Sequence, residues 1–206
     1  MTSRAAALGH FKKHDPRFFA ATKTHHGSVP ERLGGHSSSN RLFESLVSTV
    51  ISQQLGLKAA DAIYARVKLA CKNKIRPSSI IALRAPTLRK TGLSGAKIKT
   101  IKEIAKAVKN KSLQLSKLRT LTETEATEKL LAVWGLGPWS AEMFLMFALG
   151  RPDVFSPGDL GLIRAIETIY VLPKGAPRAD ILAIAEKWAP YRTFASLLLW
   201  RTRDKT

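Results

Sequence analysis

Apolar residues recur along this chain at intervals of three and four, and no alternating strand pattern rises above the noise. Leu42, Phe43, Leu46, Val47, Val50 and Ile51 form the clearest stripe, the spacing of one buried helix face. Asn40 is placed to cap it, and Ser52 to Gly56 ends it. Lys58 to Ala70 follows, burying Ala59, Ala60, Ile63 and Val67. Short helices at Ser78 to Leu83 and Ala85 to Lys90 lead to the turn Thr91 to Gly95. The helix Ala96 to Lys109 then buries Ile98, Ile101, Ala105 and Val108 and turns Lys97, Lys99, Lys102, Lys106 and Lys109 elsewhere. Ser116 to Leu121 leads into Thr122-Glu-Thr-Glu, a helix start with acids in its first turn. Helices at Leu160 to Tyr170, Arg178 to Trp188 and Pro190 to Arg203 complete the series. Of the loosely patterned Met1 to Ser39, only Pro16 to Ala21 has the look of a helix. Thr24 to Asn40 is a loop in which His25, His26 and His36 are solvated rather than metal ligands. The class is all-α, with about ten helices.

The densest punctuation lies between Glu125 and Pro138. One helix runs from Glu125 to Val133; Gly135 and Gly137 follow with Leu136 between them, and Pro138 opens a second helix at a position where its missing N–H costs nothing. Two helices joined by a tight Gly-x-Gly turn make a helix-hairpin-helix. Its glycines permit positive φ and close backbone approach, and the N–H groups of the turn and of the second helix's first turn can seat a phosphate without contacting a base. The spacing alone is equally that of an ordinary helical hairpin.

Composition narrows the partner. The net charge is +19 at a pI near 10.5, which favours a polyanion. The charge is concentrated: residues 51–119 hold seventeen Lys and Arg against Asp61 and Glu103, interleaved with helical apolar spacing, so it decorates a folded face rather than a tail. The apolar run Met143 to Leu149 is too short to span a bilayer, and no signal-peptide pattern opens the chain. An intracellular protein is expected: cytoplasm or nucleoid in a bacterium, nucleus in a eukaryote. The single cysteine, Cys71, excludes a disulfide framework, a cysteine zinc site and a four-cysteine iron–sulfur cluster.

Asp159 stands at the entrance to a helix in Ser156-Pro-Gly-Asp-Leu-Gly-Leu162. A carboxylate there is a helix N-cap; it could also activate a water or stabilise positive charge developing on a sugar. The two stretches together, Gly135-Leu-Gly-Pro-Trp-Ser-Ala-Glu-Met-Phe144 and Val154-Phe-Ser-Pro-Gly-Asp-Leu-Gly161, resemble the helix-hairpin-helix superfamily of base-excision DNA glycosylases, and within it the DNA-3-methyladenine glycosylase II family. Val50-Ile-Ser-Gln-Gln-Leu-Gly-Leu-Lys-Ala-Ala60, Thr91-Gly-Leu-Ser-Gly-Ala-Lys97 and Trp188-Ala-Pro-Tyr-Arg-Thr-Phe-Ala-Ser-Leu-Leu-Leu-Trp200 agree with it. The resemblance covers about residues 41–203.

It implies two helical lobes flanking a DNA-binding cleft, one of residues 41–150 carrying the hairpin and one of residues 1–40 with 151–206 carrying the aspartate. It implies a monofunctional hydrolase of base excision repair that flips an alkylated or deaminated purine, such as 3-methyladenine, out of damaged double-stranded DNA and leaves an abasic site. Asp159 matches the catalytic position. Trp139, Trp200, Met143 and Tyr191 are the base-pocket candidates, the indoles as stacking faces or as core, with Arg192 beside them as rim or structure. Gly135, Leu136, Gly137 and Ser140 are the phosphate-binding hairpin. Gln53, Gln54, Leu55 and Gly56 match the minor-groove wedge, the loop that fills the gap left by the flipped base, with Gln54 and Leu55 as the candidates for its inserted side chain. Lys58, Lys97 and Lys99 form the basic DNA face.

No cofactor is required by the resemblance and no iron–sulfur cluster is implied. A structural Na+ or K+ would bind the carbonyls of Leu131, Val133 and Leu136. Position 139, a lysine in bifunctional relatives that cut the strand through a Schiff base, is a tryptophan here, so no AP-lyase activity is expected. A monomer without membrane contact is expected. The competing function is recognition and shielding of abasic or distorted DNA without catalysis.

Overall fold

The computed structural model describes residues 2–203; Met1 and residues 204–206 of the expected second lobe lie outside them. Every regular element among the described residues is helical, and no helix among them is long and apolar enough to cross a membrane. The chain forms two compact units, residues 1–34 with 150–206, and residues 35–149.

The first unit begins with a helix the hydrophobic pattern does not announce. α1 (Arg4–His14) buries only Ala7 and Phe11, four residues apart, with Ser3 accepting from the Ala6 N–H at 3.2 Å as its cap. α2 (Pro16–Ala21) has proline at its first position and Asp15 as its cap, Oδ1 accepting from the Phe18 N–H at 3.0 Å. A 3₁₀ turn over Lys23–Ser28 follows, in which the His26 ring lies against Phe19 and its Nε2 is 3.1 Å from the Thr22 hydroxyl. That ring is half-buried rather than solvated, and burial lowers its pKa. α10 (Leu160–Tyr170), α11 (Arg178–Glu186) and α12 (Arg192–Arg203) complete the unit. The last two are shorter than the pattern predicts, and Trp188 lies beyond α11 in the core with Phe11, Phe18, Leu162, Phe194 and Leu198.

Asp15 holds that core together. It is itself buried, and its Oδ2 accepts from Trp188 Nε1 at 3.0 Å and from the Tyr170 hydroxyl. Burial, and then the bond to Asp15, hold the Tyr170 phenol above its usual pKa. One carboxylate thus caps α2, anchors the end of α10 and satisfies the only polar atom of the core indole.

In the second unit, α3 (Ser39–Ser52) buries Leu42, Phe43, Leu46, Val47, Val50 and Ile51, the stripe legible in the sequence. Its cap is Ser38, whose hydroxyl accepts from the Arg41 N–H at 3.3 Å, rather than Asn40, which lies inside the first turn. α4 (Leu57–Ala70), α5 (Pro77–Ala82) and α6 (Ala85–Lys90) precede α7 (Gly95–Lys109), capped by Ser94. α7 buries Ile98, Thr100, Ile101, Ile104 and Ala105; Ala59 of α4 is exposed and Val108 only half-buried, against the pattern. A 3₁₀ turn over Leu115–Arg119 leads to α8 (Glu123–Leu131), which starts earlier than the apolar spacing indicates because Thr122 and Glu125 close a capping box. Those bonds hold the Glu125 carboxyl below its usual pKa. α9 (Pro138–Met143) runs on into a π-helical stretch over Phe144–Ala148. α3 packs against α4, α7, α9 and that stretch.

Asp15→Ala removes a cap worth about 1 kcal/mol and strands a buried indole N–H and a phenol at about 1–3 kcal/mol each. Urea denaturation should show a loss of about 3 kcal/mol, and melting a drop of about 6 to 12 °C. Asp15→Asn, which keeps the cap acceptor, should lose less. A loss below about 1 kcal/mol for Asp15→Ala would show that the network is not what holds these helices.

Candidate active site and nucleic-acid interface

The hairpin turn in the second unit is pressed onto α7. Gly135 has φ +84°, and a Cβ there would stand 2.0 Å from Thr100 Oγ1 and 2.9 Å from its Cβ and Cγ2. Only glycine meets both demands. Gly137 is different: its φ is −102° and a Cβ would meet nothing within 4 Å, so the protein's own packing does not require glycine there. Neither Gly135 nor Gly137 donates its N–H to a backbone carbonyl among the described residues. Leu136 closes the turn, its N–H bonding Val133 O at 3.1 Å, and its side chain is buried. Ser140 departs from expectation. Its side chain is 1% exposed and its Oγ accepts from Gln53 Nε2 at 2.7 Å, so the hydroxyl serves the fold and is closed to a phosphate.

That bond ties the hairpin to the loop after α3. Gln53 Nε2 also lies 3.4 Å from Gly135 O, so its amide turns toward the hairpin rather than outward, which corrects its assignment as a wedge. Lys97 is corrected in the same way. Its ammonium donates to Ile51 O at 2.7 Å and Gln53 O at 2.8 Å, and burial lowers its pKa. It satisfies carbonyls left open at the end of α3 instead of presenting charge on a basic face. Beyond these anchors Gln54 is exposed with φ +54°, Leu55 is 38% exposed, and Gly56 leads into α4, where Leu57 is 78% exposed and Lys58 is exposed. Leu57 escapes a reading of the sequence because it falls in phase with the apolar face of α4 but sits at the first, unpacked turn.

Trp139 is half-buried on α9 and Met143 is buried one turn on. Lys99 is exposed, with its Nζ 3.9 Å from the ring centroid of the exposed Trp134.

In the first unit, Asp159 caps α10. Its Oδ1 accepts from the Leu162 N–H at 3.0 Å and from Trp200 Nε1 at 3.1 Å. Two donors on one oxygen fix the carboxylate's orientation. The polar edge of the Trp200 indole thus holds Asp159. The pair closes over Gly161, where a Cβ would lie 3.0 Å from Asp159 Oδ1 and 3.3 Å from Trp200 Cδ1, a role for that glycine which its sequence context does not reveal. The segment leading to Asp159 is anchored at its other end by the start of α12. Arg192 forms a two-pronged ion pair with Asp153 at 2.7 and 3.0 Å, and the Thr193 hydroxyl donates to Arg151 O at 2.7 Å and accepts from the Val154 N–H at 3.1 Å. Arg192 is a structural residue. The Tyr191 ring faces His10 and Phe11, with centroids 5.4 and 6.5 Å apart.

No group of three or more His, Cys, Asp or Glu among the described residues could hold a metal. Cys71 is buried and burial raises its pKa, which leaves it an unreactive thiol.

The model of the HhH-GPD superfamily base excision DNA repair proteins matches residues 47–190. The chain belongs to this family. DNA-3-methyladenine glycosylase 1 of Schizosaccharomyces pombe is 34% identical over 163 residues, 78% of this chain and 72% of that protein. Among solved structures, a 3-methyladenine DNA glycosylase of the same yeast in complex with abasic DNA superposes with a TM-score of 0.80 at 30% identity, covering 97% of both chains. A DNA-3-methyladenine glycosidase from Bacillus halodurans gives 0.76 at 34% identity, covering 97% of this chain and 88% of that one. The all-helical fold is thus that of HhH-GPD glycosylases, and the Gly-x-Gly turn pressed on α7 is the hairpin that names the superfamily.

The two hairpin glycines of this HhH-GPD protein should separate in a denaturation experiment. Gly135→Ala carries left-handed strain of about 1–2 kcal/mol and a contact that must be relieved against Thr100, so a total loss of about 3 kcal/mol is expected. Gly137→Ala should cost no more than about 1 kcal/mol, the difference between Gly and Ala at an N-cap. Equal losses would mean that the close approach to Thr100 is not what fixes the turn.

Proposed function

We propose that this chain is a monofunctional DNA glycosylase that hydrolyses the N-glycosyl bond of alkylated purines, and of deaminated purines as a further class, and leaves an abasic site in an uncut strand. The observation that carries the reading is Asp159, held by the α10 N-terminus and the Trp200 indole in a chain of the HhH-GPD family. The damaged base is extruded from the duplex because its glycosidic bond is out of reach inside the stack. As the C1′–N bond breaks, positive charge grows on the sugar, and a preoriented carboxylate stabilises it without rearranging. Water then adds its oxygen to C1′. Its proton passes to Asp159, and the electron pair of the broken bond leaves with the base. Trp139 supports hydrolysis rather than strand cleavage, since an indole has no amine with which to form a Schiff base.

The hairpin N–H groups and exposed Lys58 and Lys99 hold DNA phosphates, as sequence-independent contacts that place the protein on the duplex. Each unit offers its own candidates for contact with the damaged base: Trp139 and Met143 in the second, Trp200 and the partly buried Tyr191 in the first. A monovalent cation fits the hairpin. The Leu131 and Leu136 carbonyls accept no backbone N–H among the described residues beyond those within helices, and Val133 O accepts one, from Leu136. These three carbonyls would hold Na+ or K+, which buttresses the turn. The protein acts as a monomer.

Asp159→Asn keeps an acceptor for the Leu162 and Trp200 N–H groups and removes the charge. It should fold and bind DNA as the wild type does, while single-turnover release of 7-methylguanine and hypoxanthine falls by at least ~10² to 10³, less for the already cationic 7-methylguanine. The wild-type product strand should stay uncut. Unchanged excision in a folded Asn variant would reduce Asp159 to a cap. A wild type that binds abasic DNA but releases no purine would make the protein a shielding factor instead.

Leu55 is the proposed wedge, with Gln54 beside it in a left-handed turn. Leu55→Ala should slow excision from duplex DNA and spare single-stranded DNA, because the wedge offsets unstacking that costs a few kcal/mol, about 2–3, per opened step. Equal losses on both substrates would assign Leu55 to the fold.

A further inference from the structure

Trp134 has no role in the chemistry above, yet it is 48% exposed on the hairpin turn, immediately before Gly135. Burying a tryptophan is strongly favourable, so one left half in water beside a binding element is the informative kind of exposure. Its ring is not unattended. The Lys99 ammonium sits over it, 3.9 Å from the centroid, and the next residue of α7, Thr100, is the one against which Gly135 lies. The indole, the ammonium and the hairpin backbone therefore belong to one surface of the second unit.

We infer that Trp134 and Lys99 form a second backbone-binding subsite for one strand of duplex DNA, next to the hairpin phosphate seat: the exposed part of the indole lies against a deoxyribose while the ammonium, positioned by the ring, takes the adjoining phosphate. The inference rests on the DNA-binding reading of the hairpin and not on the catalytic role of Asp159. Charge favours this occupant, since the stretch from residue 51 to residue 119 carries seventeen basic residues against two acids. The cation–π contact also decides how the pair works. A lysine ammonium is a hydrated point charge on a flexible stem. The ring holds it in place and leaves its N–H donors for a phosphate. Neither group can distinguish bases, so the subsite contributes affinity and register without lesion preference.

The test is fluorescence anisotropy with an undamaged duplex oligonucleotide across a salt series, with melting curves as controls. Trp134→Ala and Lys99→Met should each weaken binding by about tenfold at unchanged melting temperature, and each should flatten the plot of log affinity against log salt by about one unit. Trp134→Phe, which keeps a ring under the ammonium, should retain most of the affinity. The double variant should bind no worse than the weaker single one, because the pair acts as a unit. Wild-type affinity in Lys99→Met, an exposed change that leaves the fold intact, overturns the inference, as does full additivity in the double variant. A wild type that binds no duplex overturns the DNA reading and this inference together. Failure of these variants alone leaves the function of the hairpin and Asp159 standing.

Discussion

The backbone of Gly135 lies so close to Thr100 that no side chain fits between them, and the second unit's candidate interface follows from that approach. It places the hairpin turn directly on α7, and α7 then supports what surrounds the turn. Lys97, one helical turn before Thr100, holds the carbonyls of Ile51 and Gln53. Gln53 reaches back to Ser140 at the start of α9. Lys99 covers Trp134. The loop with the exposed leucines and the hairpin turn are thus referenced to one helix, through side chains that bond mostly to backbone. Such contacts fix position while leaving Gln54, Leu55 and Leu57 exposed.

The first unit solves the corresponding problem for Asp159 differently. Its carboxylate is held by side-chain and backbone contacts of the same unit. Here the holding groups are donors: an amide at a helix N-terminus and an indole N–H. Both donors converge on one oxygen, so the carboxylate is held in a single orientation. The bond that caps α10 thus also sets where the carboxylate points. The approach segment is fixed at its far end by Arg192 and Thr193, which makes α12 support both ends of it, through its first turn and through Trp200.

What the sequence made legible was what local chemistry encodes. Gly135, Gly137 and Pro138 mark the turn because their backbone preferences are intrinsic, and Asp159 is marked by its place before an apolar helix. The stripe of α3 is likewise local. Partner choice is not local. Lys97, Ser140 and Gln53 look like a surface cation, a seat hydroxyl and a wedge until α7, α9 and the loop are brought together, after which each has an internal partner. Ser38 and Asn40 are both good capping residues, and only the geometry of the first turn chooses between them. α1 is missed because two buried residues, Ala7 and Phe11, suffice to dock it and two residues make no stripe. Gly161 and Trp134 owe their meaning to neighbours distant in sequence.

The charge also changes meaning once the structure is known. Not every lysine of the basic stretch is available to a polyanion: Lys97 and Lys102 donate to carbonyls of Ile51, Gln53 and Leu83 at the ends of α3 and α5. Yet the excess cannot be absorbed internally. With 34 basic and 15 acidic side chains, one-to-one pairing of every acid would still leave nineteen cations without a carboxylate. Their mutual repulsion acts against the compact state, and a ligand that neutralises them acts on the folded form more than on the unfolded chain, whose charges are farther apart. Binding to DNA should therefore stabilise this fold by linkage, beyond the direct contacts of the hairpin. The same surplus that favours a polyanionic partner is a repulsion the partner relieves, which ties the stability of the fold, like its affinity, to its ionic surroundings.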